Sequence, residues 1–339
     1  MQEIRIEQNQ AGQRLDKFLH KYLPLAGSGF LYKMLRKKNI TLNGKKAEGK
    51  ELLQLHDKVQ CFFSEETFAK FSGRAMEAAG DRAHSASGVD ISEYIRAFDS
   101  LPVKKEHIIY EDAHVLVINK LVGVLTQKAG DDDSSLNEWL IGYLLQAGKI
   151  TASELTLFKP SVCNRLDRNT SGMVLCGISL QGSQQLSRLI RDRRVKKFYR
   201  TIVKGVLKEG AVLEGSLRKN HSTNTVTVSV DGREIKTAYE PVQTLQHGLT
   251  YLEVELITGK THQIRAHLAS IGHPLIGDSK YGNRTVNQRV EKTYGLRNQL
   301  LHAYRMEFPK LEGALAGLSE LLLLAPLPQK FMEILEDLS

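Results

Sequence analysis

The sequence predicts an α+β protein in two parts: a large domain with strands in runs and only some helices between them, preceded by a small basic domain. Three observations carry this reading. Residues 1–63 hold 12 Lys/Arg against 6 Asp/Glu, which is six of the nine excess positive charges of the chain. A broken stretch follows, in which Gly73, Gly80 and the run HSASG at 84–88 interrupt any long periodicity. From about Glu106 onward, strand-like segments come in succession, whereas a doubly wound parallel sheet would alternate strand and helix. The boundaries expected are a small domain at 1–63, a partly flexible linker at 64–104 and a large domain at 105–335.

In the small domain, Leu15, Phe18, Leu19, Tyr22 and Leu23 follow the helical period. Ser28 is a candidate N-cap for a second helix, with Leu31, Met34 and Leu35 facing inward and Lys33, Arg36, Lys37 and Lys38 outward or just beyond its end. Ile40–Leu42 reads as a strand, Asn43-Gly44 as a tight turn and Lys58–Phe63 as a later strand. In the linker, Asp90–Phe98 suits one helical stretch. In the large domain, Val115–Ile118 is an apolar strand ending at Asn119-Lys120. Asp131, Asp132, Asp133 and Ser134 precede a helix carrying Leu136, Trp139, Leu140, Tyr143 and Leu144, with acidic residues at the positive end of its dipole. A further helix is expected over 183–193, and strands over 198–203, 225–230 and 250–256.

The chain has 339 residues, 41% of them hydrophobic and 25% charged, an ordinary globular composition with room for more than one core. The basic first fifth points to a polyanionic partner, nucleic acid being the simplest, against the plainer reading of a solvated face. Cys61, Cys163 and Cys176 form no CxxC pair, which fits a reducing compartment. The polar N-terminus lacks a signal-peptide pattern, and the longest apolar run, Leu321 to Pro326, falls far short of the ~20 residues that span a bilayer. A cytoplasmic protein with no membrane partner is expected.

The stretch NRLDRNTSG, Asn164 to Gly172, places Asp167 between Arg165 and Arg168. Flanking guanidinium groups favour the charged carboxylate, and the same arginines suit phosphate. The pattern suggests a nucleophile or base working beside a nucleic-acid backbone; taken alone, it better suits a surface loop with local ion pairs. His262, His267, His273 and His302 form no HExxH or Cys/His pattern, so they read as packing, turn or RNA-contact residues and no metal site is expected. Gly277-Asp278 and Gly282 read as turn chemistry. Lys196-Lys197 suits phosphate contact and plain solvation equally.

Four ordered segments make the pattern specific. They are YEDAHVLVINK (110–120), NRLDRNTSGMVLCG (164–177), KKFYRTIVKG (196–205) and LITGKTHQIRAHLASIGHPLIGDSKYG (256–282), the last followed by LLHAYRMEF at 300–308. This text resembles the RluA-type family of RNA pseudouridine synthases. The opening RLDKFL (14–19) and ITLNGK (40–45), in that order, resemble the S-four-type RNA-binding domain named after a protein of the small ribosomal subunit, a common companion in that family. The resemblance implies a catalytic domain of pseudouridine synthase type with a mixed, mainly antiparallel sheet, and isomerisation of selected uridines in RNA. It implies that Asp167 is the catalytic aspartate, that Tyr199 packs against the target base and that Arg265 pairs with the aspartate. Leu301 would belong to the base pocket, with Arg165 and Arg168 as substrate contacts. Arg14, Lys17, Lys33, Arg36, Lys37, Lys38 and Lys45 would bind RNA from the small domain.

Elementary chemistry agrees with these roles. Breaking a glycosidic bond calls for an ionised carboxylate at the sugar, and a buried one requires a guanidinium partner; Arg265 is expected to supply a bidentate pair. A stacked uridine must be flipped out, at a cost of roughly a few kcal/mol. Stacking on Tyr199 returns about 1–3 kcal/mol. The isomerisation is redox-neutral, so no cofactor is expected. Three positions depart from the family pattern: Asn164 where His is common, Leu121 where Pro is common and Lys260 where Arg is common. Asn164 keeps hydrogen-bonding ability but cannot titrate near neutrality. The expected substrate is large-subunit ribosomal RNA, with transfer RNA as the alternative, and the expected state is a monomer. The rivals are a non-catalytic RNA-binding assembly factor and a hydrolase in which Asp167 activates water.

Overall fold

The structure, a computed structural model, describes residues 1–7, 10–72, 90–220, 225–229 and 232–339. Gly73, Gly80, the 84–88 run and Val230 lie outside the described residues.

The small domain runs β1 (Gln2–Arg5), α1 (Leu15–Tyr22), α2 (Ser28–Arg36), β2 (Ile40–Leu42), β3 (Lys45–Lys46) and β4 (Lys58–Cys61). Its strands pair antiparallel in the order β1-β4-β2-β3. Leu15, Phe18 and Leu19 of α1 meet Leu31 and Leu35 of α2 over Ile40 and Val59. Asn43 and Gly44 join β2 to β3 with φ of 52° and 73°, the left-handed pair that a two-residue hairpin turn demands. Ser28 is the first helical residue rather than the N-cap; Gly27 holds that place, without a side-chain cap.

After α3 (Glu65–Ser72) and α4 (Ser92–Ser100), the large domain runs β5 (Ile108–Glu111), β6 (Val115–Lys120), α5 (Leu136–Gln146), β7 (Ser161–Val162), β8 (Ser171–Gly177) and α6 (Leu180–Arg191). It continues through β9 (Lys196–Lys204), β10 (Ala211–Asn220), β11 (Thr225–Ser229), β12 (Arg233–Leu245), β13 (Leu249–Leu256), α7 (Gln263–Ser270) and α8 (Arg284–Tyr294), and ends with β14 (Leu301–Glu307), β15 (Leu322–Leu324) and α9 (Gln329–Leu338). Both ends of the stretch expected as a linker are helical. Phe68 and Phe71 of α3 pack into the small-domain core. α4 lies so close to α5 that a Cβ on Gly142 would stand 2.3 Å from the Tyr94 carbonyl oxygen. The acidic residues before α5 sit in a preceding turn, where Asp133 accepts the Gly130 N–H (2.9 Å); Ser135 is the cap. The domains touch where Leu157 joins the small-domain core and its carbonyl accepts the Lys21 ammonium at 2.8 Å.

Among the described residues the large sheet has the order β11-β10-β12-β13-β9-β14-β8-β6-β5, with β7 on β8 and β15 on β14. It is mixed and mainly antiparallel, as expected, and parallel only where β14 meets β8. One face carries α5 and α7, through Trp139, Leu140, Ile264 and Leu268. The other carries α6 through Leu186 and Leu189, and α8 and α9 through Val290, Phe331 and Ile334. Among the described residues, no helix is long and apolar enough to cross a membrane.

The parallel seam determines the local sequence. His302 lies opposite Ser171 and Ala303 opposite Gly172. Gly172 has φ +111°, and a Cβ there would stand 2.3 Å from the Ala303 carbonyl oxygen, so only glycine fits. Further along β8, β7 takes over at Cys176 and Gly177. The side chain of Asn164 fills the gap between these two partners. Its Oδ1 accepts the Leu175 N–H at 2.7 Å and its Nδ2 donates to the Met173 carbonyl at 3.3 Å. A primary amide carries the same donor and acceptor as a peptide unit, so Asn164 stands in for a piece of strand.

His302 is fully buried in this seam, with Nδ1 2.8 Å from Ser171 Oγ and Nε2 3.3 Å from the Ala325 carbonyl oxygen. Burial pushes its imidazole down to about 4. The folded state therefore resists a proton that the unfolded chain takes up near pH 6.5, and this stability is full above pH 6.5 and lost as pH falls towards 4. Urea unfolding of His302→Gln should lose about 2 kcal/mol less than wild type between pH 7 and pH 5.

Candidate active site

The turn between β7 and β8 carries Asp167 and is held from three directions. The Thr170 N–H donates to the Asp167 carbonyl at 3.0 Å. Thr126 Oγ1 donates to the Leu166 carbonyl (2.8 Å) and accepts the Leu166 N–H (3.2 Å). Lys120, at the end of β6 and fully buried, spreads its three donors over the carbonyls of Leu121 (2.9 Å), Val124 (2.8 Å) and Arg168 (3.0 Å). Burial pushes that ammonium down to about 7, against the pull of the Asp167 charge.

Arg265, in the first turn of α7, reaches Asp167 through one bond: Nη1 donates to Oδ2 at 2.8 Å. The bidentate pair expected with Asp167 goes to Asp278 instead. Arg265 Nε donates to Asp278 Oδ2 at 2.7 Å and Nη2 to Oδ1 at 2.9 Å. Asp278 is fully buried, and its Oδ1 also accepts the N–H groups of Lys280 (2.9 Å) and Tyr281 (3.1 Å). Burial by itself would raise the Asp278 pKa; the hydrogen bonds and charge of Arg265, with the two backbone donors, overcome it and hold the carboxyl below its usual range. The Tyr281 ring lies 5.2 Å from the guanidinium carbon. The aspartate of the Gly277-Asp278 turn is thus the main partner of the arginine, 13 residues away along the chain.

Tyr199 comes from β9 and Leu301 from the start of β14, adjacent strands in which Tyr199 faces Ala303 and Thr201 faces Leu301. Burial, then the Asp167 charge, raises the Tyr199 phenol well above its usual range, so it keeps its proton. Asp167, Tyr199, Arg265, Leu301, Arg165 and Lys260 line one small pocket of about 60 Å³. An adjoining cleft of about 810 Å³ shares Asp167, Tyr199 and Arg265 and adds Arg168, Lys128, Lys197 and Lys280, a strongly basic wall. Of the four expected histidines, His267, His273 and His302 bond to Thr237, the Lys204 carbonyl and Ser171, whereas His262 lies beside Asp167.

The comparisons with known proteins bear on this arrangement. Residues 114–270, which include Asp167, Tyr199 and Arg265, match the family of RNA pseudouridylate synthases. The ribosomal large subunit pseudouridine synthase C of Vibrio parahaemolyticus is 29% identical over 315 residues, 91% of this chain and 88% of that protein. The ribosomal large subunit pseudouridine synthase D of Neisseria meningitidis is 32% identical over 241 residues, 68% of this chain and 60% of that protein. The chain belongs to the RNA pseudouridine synthases. It is an isomerase. The fold agrees: the solved structure of human RNA pseudouridylate synthase domain containing 4 covers 72% of this chain and 95% of its own, at a TM-score of 0.55 and 23% identity.

Within this synthase, the expected RNA contacts of the small domain stand apart from the pocket lining. Lys17, Lys33, Arg36, Lys37, Lys38 and Lys45 are exposed. Arg14 is engaged with Asp16 at 2.7 Å, a carboxylate that also accepts the Tyr32 hydroxyl at 2.9 Å. Sequence reasoning missed Asp278, Lys120 and His262. Each sits inside a segment that drew attention for other residues, and only a contact across the fold separates them from turn or packing residues.

Asp278→Asn keeps the shape and removes the charge that Arg265 depends on. Breaking one side of such a buried pair costs about 3–5 kcal/mol. Thermal and urea unfolding of the purified variant should show a loss of that order.

Proposed function

We propose that this synthase converts specific uridines of large-subunit ribosomal RNA to pseudouridine in the cytoplasm, with Asp167 as the reacting carboxylate. The observation that carries the reading is the grip on Asp167. Among the described residues, the hydrogen bond from Arg265 and the approach of His262 both fall on Oδ2, which leaves Oδ1 free of donors. A free oxygen on an anchored carboxylate is what either route requires. It can attack the anomeric carbon and displace the base from its ring nitrogen, or it can remove the adjacent sugar proton. In the first route the base turns and its ring carbon displaces Asp167 from the anomeric carbon. In the second the base leaves as the sugar double bond forms, its ring carbon adds to the anomeric carbon, and Asp167 returns the proton to the adjacent sugar carbon. In both, the ring nitrogen that left gains a proton and the new junction carbon loses one. Tyr199 and Leu301 provide the surfaces that hold the everted base while it turns. The reaction consumes no electrons and passes nothing to an outside acceptor, so the reading includes no cofactor or metal. One chain carries the whole site, so it acts as a monomer.

The names of the relatives support the ribosomal substrate. The basic cleft supports an RNA backbone lying across Arg165 and Arg168. The small domain, residues 1–63, supplies a second grip on the RNA. Mapping pseudouridine in total RNA from cells that lack the gene, and from the same cells carrying wild type or Asp167→Ala, tests the substrate and the residue together. Sites in large-subunit RNA should vanish, return with wild type and stay absent with the variant, while RNA affinity of the purified variant stays within about threefold, since one pocket carboxylate contributes little to phosphate binding. Loss confined to transfer RNA would move the substrate. Release of free uracil or RNA cleavage would make the protein a hydrolase.

Neutralising Arg36, Lys37 and Lys38 to Gln should weaken RNA binding. It should also flatten the log–log salt dependence by up to ~0.7–0.9 for each phosphate that the variant no longer neutralises. Filter binding over a salt series measures this slope.

A further inference from the structure

His262 directly precedes α7, with φ 54° and ψ 16°. A non-glycine residue is uncommon in this left-handed region and is kept there by its surroundings. Its ring lies between two groups. Nδ1 stands 2.9 Å from the Tyr281 hydroxyl, and Nε2 stands 3.7 Å from Asp167 Oδ2. The Tyr281 hydroxyl oxygen already accepts the backbone N–H of Val226, on β11, at 2.8 Å. Its own proton remains to donate, and Nδ1 lies beside it. When the hydroxyl donates to Nδ1, the ring carries its hydrogen on Nε2, on the side of Asp167. Burial lowers the imidazole pKa; of its charged neighbours, Asp167 and Asp278 oppose this while Arg265 and Lys280 add to it, and the ring is neutral at neutral pH.

We propose that His262 is a positioning residue for Asp167, an inference that rests on Asp167 being the reacting carboxylate. Its Nε2–H closes onto Oδ2 when a uridine fills the pocket, as long contacts in empty active sites do. With Arg265 it then holds Oδ2 from two sides and turns Oδ1 to the sugar. Tyr281 selects the tautomer, and through Val226 it ties this second donor to the β10–β11 hairpin. The arrangement accounts for a histidine in a strained backbone conformation next to a carboxylate that Arg265 bonds only once.

The test uses the full-length protein. With ¹⁵N-labelled histidine, long-range ¹H–¹⁵N spectra report the tautomer, and the His262 signal is identified by its loss in His262→Gln. Wild type should show the Nε2–H form, and Tyr281→Phe, which removes the donor to Nδ1, should shift the ring towards the other tautomer. Single-turnover rates are read on a transcript carrying the mapped uridine. His262→Phe should be slowed on the order of 10–100-fold, the scale of a misplaced reacting group, with RNA affinity unchanged. His262→Gln places an amide N–H where Nε2–H stood and should recover most of that rate. A wild-type rate in His262→Phe, a His262→Gln variant as slow as His262→Phe, or an Nδ1–H ring in wild type would each overturn the proposal. Asp167→Ala is run alongside: activity in that variant defeats the reading of Asp167 itself, whereas the outcomes above defeat only the role of His262. Tyr281→Phe also keeps the test decisive should His262→Phe not fold, because a normal rate with a shifted tautomer contradicts the proposal.

Discussion

A guanidinium taken out of water must have its charge and its fork of donors answered, and this site is organised around how Arg265 meets that demand. Asp278 takes two of its N–H groups in the bidentate geometry that arginine favours. Asp278 can remain charged at full burial because the same arginine and two backbone N–H groups face it. With that pair settled, Nη1 is held towards Asp167. A direct bidentate pair with Asp167 would have engaged both oxygens of that carboxylate. The division of labour leaves one of them available, and the structural ion pair bears the cost of orientation.

The position of Asp167 follows from the parallel seam. A sheet that is antiparallel elsewhere meets itself in parallel at β14 and β8, and backbone bonding along that edge of β8 lapses between Gly172 and the Leu175 carbonyl, which takes the Cys163 N–H. Asn164 repairs that break with its side chain, and the chain leaves it directly into the turn that carries Asp167. Gly172 lets the two backbones close on the far side of the turn. Lys120 gathers the carbonyls of Leu121, Val124 and Arg168, the last of which also accepts the Gly123 N–H, and so ties the Asp167 turn to the segment after β6. The departure from family text at Asn164 therefore has a local reason in this chain: an amide offers both the donor and the acceptor that the ladder lacks.

Much of the fold is readable because its signals are local. The period of Leu15, Phe18 and Leu19, the Asn43-Gly44 turn and the apolar run at Val115 each state an element within a few residues. The cap of α2 lies one residue before Ser28 because glycine is also tolerated at that position. β10, β12 and β14 are not among the expected strands. β12 does alternate, with Ile235, Thr237 and Tyr239 buried between Glu234, Lys236 and Glu240, whereas in β14 the alternation is overwritten by the Arg305 pair with Glu253 and by the seam. The 64–104 stretch reads as a linker because its helices, α3 and α4, are short and each completes a core built elsewhere.

The sequence by itself determined the α+β class, the basic first domain and the identity of Asp167, Tyr199, Arg265 and Leu301 as one group. The class and the basic domain follow from composition and short-range periodicity, and the residue group from the resemblance of the ordered motifs to a known family, all of which exist before the chain folds. Only the tertiary structure decided that Asp278 rather than Asp167 takes the bidentate grip, that Lys120 braces the turn and that His262 stands beside the carboxylate. These are choices among several chemically equivalent donors and acceptors, and distance makes them: the chain must close across the sheet before a guanidinium can select which of two aspartates to face.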